Sequence, residues 1–134
     1  MPAYNLVVIV TLLALILYLH MGVRVASARG KYDVAAPAVT GSPEFERAYR
    51  VQMNTLEWLP LFLPSLWLFA AYWNQFLAAV LGLVWILGRM LYMISYTKDP
   101  AKRGPGFSVQ ALATLILLLG ALGKAAWSAA HGGV

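Results

Sequence analysis

Residues 43–72 read PEFERAYRVQMNTLEWLPLFLPSLWLFAAY. Ser42 just before them is a natural N-cap, and Pro43 sits in the first helical turn, where its missing N–H costs nothing. The second half, Trp58 to Tyr72, is purely apolar apart from Ser65, with Pro60 and Pro64 as possible bends. A helix needs about 20 apolar residues to cross a bilayer core. This run is too short alone, so Glu57, Asn54 and Arg50 must be drawn to membrane depth. Arg47, Arg50, Asn54 and Glu57 are spaced three, four and three apart, which places them on one helix face.

Around this segment the chain is apolar throughout. Its 134 residues are 61% hydrophobic and only 11% charged. A soluble domain carries about a quarter charged residues, so the deficit points to lipid as the solvent. The apolar run from Leu6 to Val23 lacks a basic leader and is long for a signal peptide, so a retained membrane helix is expected. Pro37, Gly41 and Pro43 break the chain after it. Asn74, Asp99-Pro100 and Gly104-Pro105-Gly106 mark the later turns. The expected fold is all-α, an integral membrane four-helix bundle forming one domain over 1–134. Its helices fall at about 4–28, 43–72, 75–98 and 106–130.

Nine of the ten basic residues belong to the first and third connections or their edges: Arg24, Arg29, Lys31, Arg47, Arg50, Arg89, Lys98, Lys102 and Arg103. Only Lys124 lies elsewhere. The positive-inside rule makes the basic end cytoplasmic and puts both termini on the opposite side. Trp73 and Trp127 suit an aromatic belt on that far side.

The third helix carries a second stripe. Arg89, Tyr92 and Tyr96 are three and four apart, and Arg103 would follow two turns later if the helix ran on. Measured from the tight connection near residue 73, Glu57 and Arg89 both lie about 23–24 Å away at 1.5 Å per residue. Asn54 and Tyr92 lie at about 28–29 Å, Arg50 and Tyr96 at about 35 Å. Each ionisable group at such depth costs about 2.5–3.5 kcal/mol to insert. A structural ion-pair network is the bland explanation. Against it, Arg50 and Glu57 are roughly 10 Å apart along the axis. Cations also outnumber the carboxylate: Arg50, Arg89, Arg103 and Arg29 face Glu57 alone. Surplus guanidinium groups suit a ligand with carboxylates, and Glu57 suits an ammonium. With no cysteine in the chain, any thiol chemistry must use a thiol that the ligand brings.

The stretch from Pro43 to Glu57, followed by Pro60-Leu61-Phe62-Leu63, closely resembles the signature of the MAPEG family, the membrane-associated proteins in eicosanoid and glutathione metabolism. Gly88-Arg89-Met90-Leu91-Tyr92-Met93-Ile94-Ser95-Tyr96, with Arg103 downstream, is similar to its third-helix motif. The resemblance covers essentially the whole chain. It implies a homotrimer that binds glutathione as co-substrate between neighbouring subunits near the cytosolic side. It implies that Arg50, Asn54, Glu57, Tyr92 and Tyr96 bind glutathione, with Arg29 and Gln52 also in contact. Arg89 would lie near the peptide's polar groups, and Trp58 is also expected among the glutathione-binding residues. Arg103 matches the arginine that stabilises the glutathione thiolate. The implied activity is conjugation of glutathione to lipophilic electrophiles, with reduction of lipid hydroperoxides as a further possibility of the same thiolate. Trp58 stands where eicosanoid-synthesising members commonly carry tyrosine, and Gly30 where they carry a second basic residue. Both departures favour a general detoxifying transferase over a leukotriene substrate.

Two rival readings have distinct signatures. A non-catalytic lipid- or glutathione-binding member would bind without turnover. A small cation transporter could also use one membrane glutamate, but the arginines around Glu57 would repel its substrate. His20 and His131 have no metal-ligand company, so no metal is expected. The short basic loops face membrane lipid, and no nucleic-acid partner is expected. The absence of cysteine and the short loops suit a bacterial inner membrane.

Overall fold

The computed structural model describes residues 4–133; residues 1–3 and 134, the ends of the expected 1–134 domain, lie outside the described residues. Four helices follow one another: α1 (Asn5–Tyr32), α2 (Pro43–Tyr72), α3 (Gln75–Lys98) and α4 (Gly104–Ala130). A single 3-10 turn, Pro100–Lys102, joins α3 to α4. Helices α2 and α3 form the centre, with α1 and α4 each packed against both.

The helix ends follow from local chemistry. The Ser42 hydroxyl accepts from the Phe45 N–H at 3.3 Å and starts α2. Asn74 Oδ1 accepts from the Leu77 N–H at 3.0 Å and starts α3. Asp99 adopts an extended conformation that ends α3, and its carboxylate then accepts from the Ala101 N–H at 3.1 Å. Helix α1 runs a turn past its expected end, because Arg29 and Lys31 in its last turn favour the dipole there and Asp33 closes it in the left-handed region at φ 57°. Pro60 and Pro64 lie inside α2, which continues through both.

Burial is helical and one-sided. On α1, Val7, Val10, Ala14, Leu17, Met21, Val25 and Ala28 turn inward. Leu19, Leu87, Phe76, Leu112 and Leu122 turn outward and are exposed. A surface of exposed leucine is stable only against hydrocarbon. Helices α1, α3 and the last segment through α4 are long and apolar enough to cross a membrane. Helix α2 has the length but carries the polar stripe in its first half. The chain is an all-α integral membrane four-helix bundle.

The core is held by shape more than by polar links. Phe62 of α2 stacks flat on Trp85 of α3, with ring centroids 4.0 Å apart. Trp67 Nε1 donates to Thr11 Oγ1 at 3.0 Å, tying α2 to α1. Small residues mark the close crossings. A Cβ at Gly88 would come within 2.8 Å of the Gln110 backbone nitrogen, and one at Gly106 would overlap the Tyr92 backbone. At the far end Trp73 Nε1 donates to the Gly120 carbonyl at 2.9 Å, and the Lys124 ammonium lies over the rings of Trp73 and Trp127.

Candidate active site

At the basic end a hollow of about 440 Å³ opens between α2, α3 and the start of α4. It is lined by Arg50, Asn54 and Glu57 of α2, Tyr92 and Tyr96 of α3, and Arg103. The 3.6-residue period accounts for the first five, since 50, 54 and 57 share one face of α2 and 92 and 96 one face of α3. Arg103 arrives differently. Helix α3 does not run on to it. It stops at Lys98, and the 3-10 turn reverses the chain so that Arg103 comes back to the hollow at the head of α4. Arg103 Nη1 donates to the Pro100 carbonyl at 2.8 Å, which fixes the side chain to that turn.

The floor of the hollow is rigid. Tyr92 is buried, and its ring lies 5.5 Å from that of Tyr96 and 6.1 Å from that of Phe107. Phe107 in turn meets Trp58 edge-on at 5.3 Å. Trp58 therefore braces the wall through Phe107 and does not line the hollow itself.

Arg89 is placed apart from the hollow. It is wholly buried, with its guanidinium carbon 4.6 Å above the Tyr92 ring. Its Nη2 donates to Asn54 Oδ1 at 2.9 Å and to Thr55 Oγ1 at 2.7 Å. Thr55 spends its own proton on the Val51 carbonyl at 2.8 Å, so its oxygen is free to accept. With Oδ1 taken, Asn54 offers its amide N–H groups to the hollow as donors. Sequence reasoning did not single out Thr55. Its signal was a hydroxyl beside Asn54, at the height where α3 carries an arginine.

Three other residues lie outside the hollow of their own chain. Arg29 Nη1 donates to the Ala38 carbonyl at 2.7 Å, and its guanidinium sits 4.7 Å over the Phe45 ring, holding the first loop to α2. Gln52 turns toward α1, with its amide nitrogen against Gly22. Arg47 reaches across to the Lys98 carbonyl at 3.3 Å, pinning α2 to the end of α3. Arg47 thus leaves the shared face that its spacing assigns to it, because a backbone acceptor is within reach at the helix end.

The hollow can hold a flexible polar anion. Arg50 and Arg103 supply two cations against the single carboxylate of Glu57, and Asn54, Tyr92 and Tyr96 add neutral hydrogen-bonding groups. Arg50, Glu57 and Arg103 are exposed, so the hollow is open at its rim. No group of three or more metal-ligating side chains occurs among the described residues.

Known proteins are similar to this chain in sequence over most of its length. Microsomal glutathione S-transferase 2 of Homo sapiens is 48% identical over 107 residues, 79% of this chain and 73% of that protein. Leukotriene C4 synthase of Bos taurus is 38% identical over 115 residues, 85% of this chain and 77% of that protein. An uncharacterized protein of Synechocystis is 50% identical over 119 residues, 89% of this chain and 87% of that protein. The profile of the MAPEG family matches residues 7–123, a span that takes in α2, α3 and every residue lining the hollow. On that match, and on relatives that align over most of their own length, the chain belongs to the MAPEG family.

Proposed function

We propose that the protein is a membrane-bound glutathione transferase that joins the glutathione sulfur to lipophilic electrophiles. The observation that carries this reading is the donor set of the hollow: two guanidinium groups and one carboxylate around three neutral polar side chains. Glutathione carries carboxylates, an ammonium and an ionisable thiol, so one carboxylate, the ammonium and the thiolate can pair with this set. Arg50 takes a carboxylate, Glu57 takes the ammonium, and Asn54, Tyr92 and Tyr96 bind the peptide groups. Arg103 stands beside the sulfur. A free thiol ionises near pH 8.5, and an adjacent guanidinium favours the thiolate and lowers that value. The thiolate attacks the electrophile, a carbon–sulfur bond forms, and the leaving group departs. The thiol proton goes to solvent. With a lipid hydroperoxide, two glutathiones give the disulfide, the lipid alcohol and water.

In this reading the protein is a homotrimer in a bacterial inner membrane, with the hollow toward the cytoplasm. Arg29 and Gln52, which lie away from their own chain's hollow, then serve a neighbour's. The electrophile, being lipophilic, reaches the sulfur through the bilayer. The name of the human relative, a microsomal glutathione S-transferase, supports the glutathione chemistry.

The direct test is purified protein with glutathione and a chromogenic aryl halide, followed by the ultraviolet thiolate difference spectrum. Turnover with a thiolate signal is expected. Glutathione binding without turnover across several electrophiles would leave a binding protein in its place.

Two substitutions probe the roles of buried and exposed charge. Glu57→Gln removes a charge-assisted contact worth about 1.5–3 kcal/mol, so glutathione affinity is expected to fall at least about tenfold. Titration calorimetry on the intact oligomer checks this, and an unchanged affinity excludes Glu57 as the ammonium partner. Arg89→Met keeps an unbranched apolar stem, without the guanidinium, and frees Asn54 and Thr55. The KM for glutathione is expected to rise about tenfold while kcat changes less, because one anchored hydrogen bond is lost from the binding face. An unchanged KM would show that Asn54 holds its orientation without Arg89.

A further inference from the structure

A second hollow lies at the same basic end and shares no lining residue with the first. It measures about 390 Å³ and lies where α1, α2 and α3 meet, bordered by Arg24, Ser27 and Lys31 of α1, Glu44 of α2 and Thr97 of α3. Arg24 is half-buried, and its Nη2 donates to Thr97 Oγ1 at 3.5 Å, leaving its other N–H groups to the hollow. Glu44 is turned toward its own helix start, where its carboxylate accepts the Ser42 hydroxyl at 2.9 Å. Two cations and one carboxylate leave a single net positive charge.

We propose that this hollow binds the phosphodiester head of a membrane phospholipid, with Arg24 and Lys31 as its charge partners and the Ser27 hydroxyl as a further hydrogen-bond donor. One net positive charge matches a phosphodiester, which carries one negative charge, better than a free phosphate, which carries more. Basic pockets between membrane helices bind lipid heads in this way. A second observation identifies the ligand as a lipid. Leu12, Ile16, Leu19 and Val23 are all exposed along one face of α1, and Val23 also borders the hollow. From Val23 to Leu12 this strip runs about 16 Å. That is close to half of a hydrocarbon core of about 30 Å, the reach of one acyl chain in one leaflet.

The test uses the full chain in detergent, stripped of lipid. It is then mixed with dioleoyl phosphatidylglycerol, with dioleoylglycerol or with inorganic phosphate, and weighed intact by native mass spectrometry. Phosphatidylglycerol is expected to stay bound and dioleoylglycerol to be lost. Arg24→Gln with Lys31→Gln is expected to cut phosphatidylglycerol retention about tenfold or more, the loss of at least one charge-assisted contact. Glutathione binding by that variant serves as its folding control. Lys31→Gln alone, at an exposed position, gives a smaller drop without touching the core. Equal retention by wild type and both variants overturns the site, as does equal retention of dioleoylglycerol. Displacement of the lipid by stoichiometric inorganic phosphate would make this a free-phosphate site and overturn the lipid assignment.

Discussion

Arg103→Ala is expected to slow conjugation at neutral pH by up to about 30-fold, since a thiol of pKa near 8.5 is only about 3% ionised at pH 7. The reasoning is electrostatic. A guanidinium about 4 Å from a thiolate near a protein surface is worth about 4 kcal/mol, and exposure of Arg103 reduces that. Each 1.36 kcal/mol retained is one unit of thiol pKa. Removing the charge returns the thiol toward its free value of about 8.5. The thiolate fraction at neutral pH then falls, and activity recovers as pH rises through that value. Glutathione affinity should be largely kept, because Arg50, Asn54, Glu57, Tyr92 and Tyr96 remain. Initial rates from pH 6 to 9, with calorimetric binding beside them, check both halves. A pH profile that does not move would separate Arg103 from the sulfur.

The second large effect is expected from a methyl group. Gly106 lies where α4 begins, and its Cβ would overlap the Tyr92 backbone and stand 2.9 Å from the Gly88 carbonyl oxygen. Backbone atoms in two helices cannot yield as a side-chain tip can. Gly106→Ala must therefore push the head of α4 off α3, at about 3 kcal/mol, the upper range for overpacking. The same displacement moves Arg103 and Phe107, which enter α4 on either side of this crossing. Thermal unfolding in detergent should show the loss of stability, and kcat should fall further than glutathione affinity. Gly104→Ala is the control, since a Cβ there meets nothing within 4 Å.

Much of this was legible in the sequence, for reasons that can be named. Ser42 and Asn74 start helices where their side chains predict, and the apolar runs give the helices their lengths. The residues at 50, 54 and 57 meet 92 and 96 because two continuous helices joined by a tight turn preserve height. Arg103 was harder. An extrapolated helix would carry it past the site, whereas Asp99-Pro100 stops α3 and turns the chain back. Arg89 was harder still. It shares the spacing of the site residues, yet its neighbours decide its direction, and Asn54, Thr55 and the Tyr92 ring draw it inward. Periodicity sorts residues by face, but it does not say which of them a neighbour will claim. Arg29 and Gln52 show the same limit, since each finds a place outside its own hollow.

The bond from Arg89 to Asn54 and Thr55 also bears on how the chain enters the bilayer. Helix α2 carries Asn54, Glu57 and Arg50, and α3, though apolar enough to cross a membrane, carries the buried Arg89. Each becomes tolerable once the other lies against it, since the guanidinium then meets two oxygens of its neighbour. The connection at Trp73 and Asn74 is too short to keep the two apart. Helix α2 is therefore expected to settle in lipid only once α3 lies against it, so that the two enter the bilayer as a hairpin.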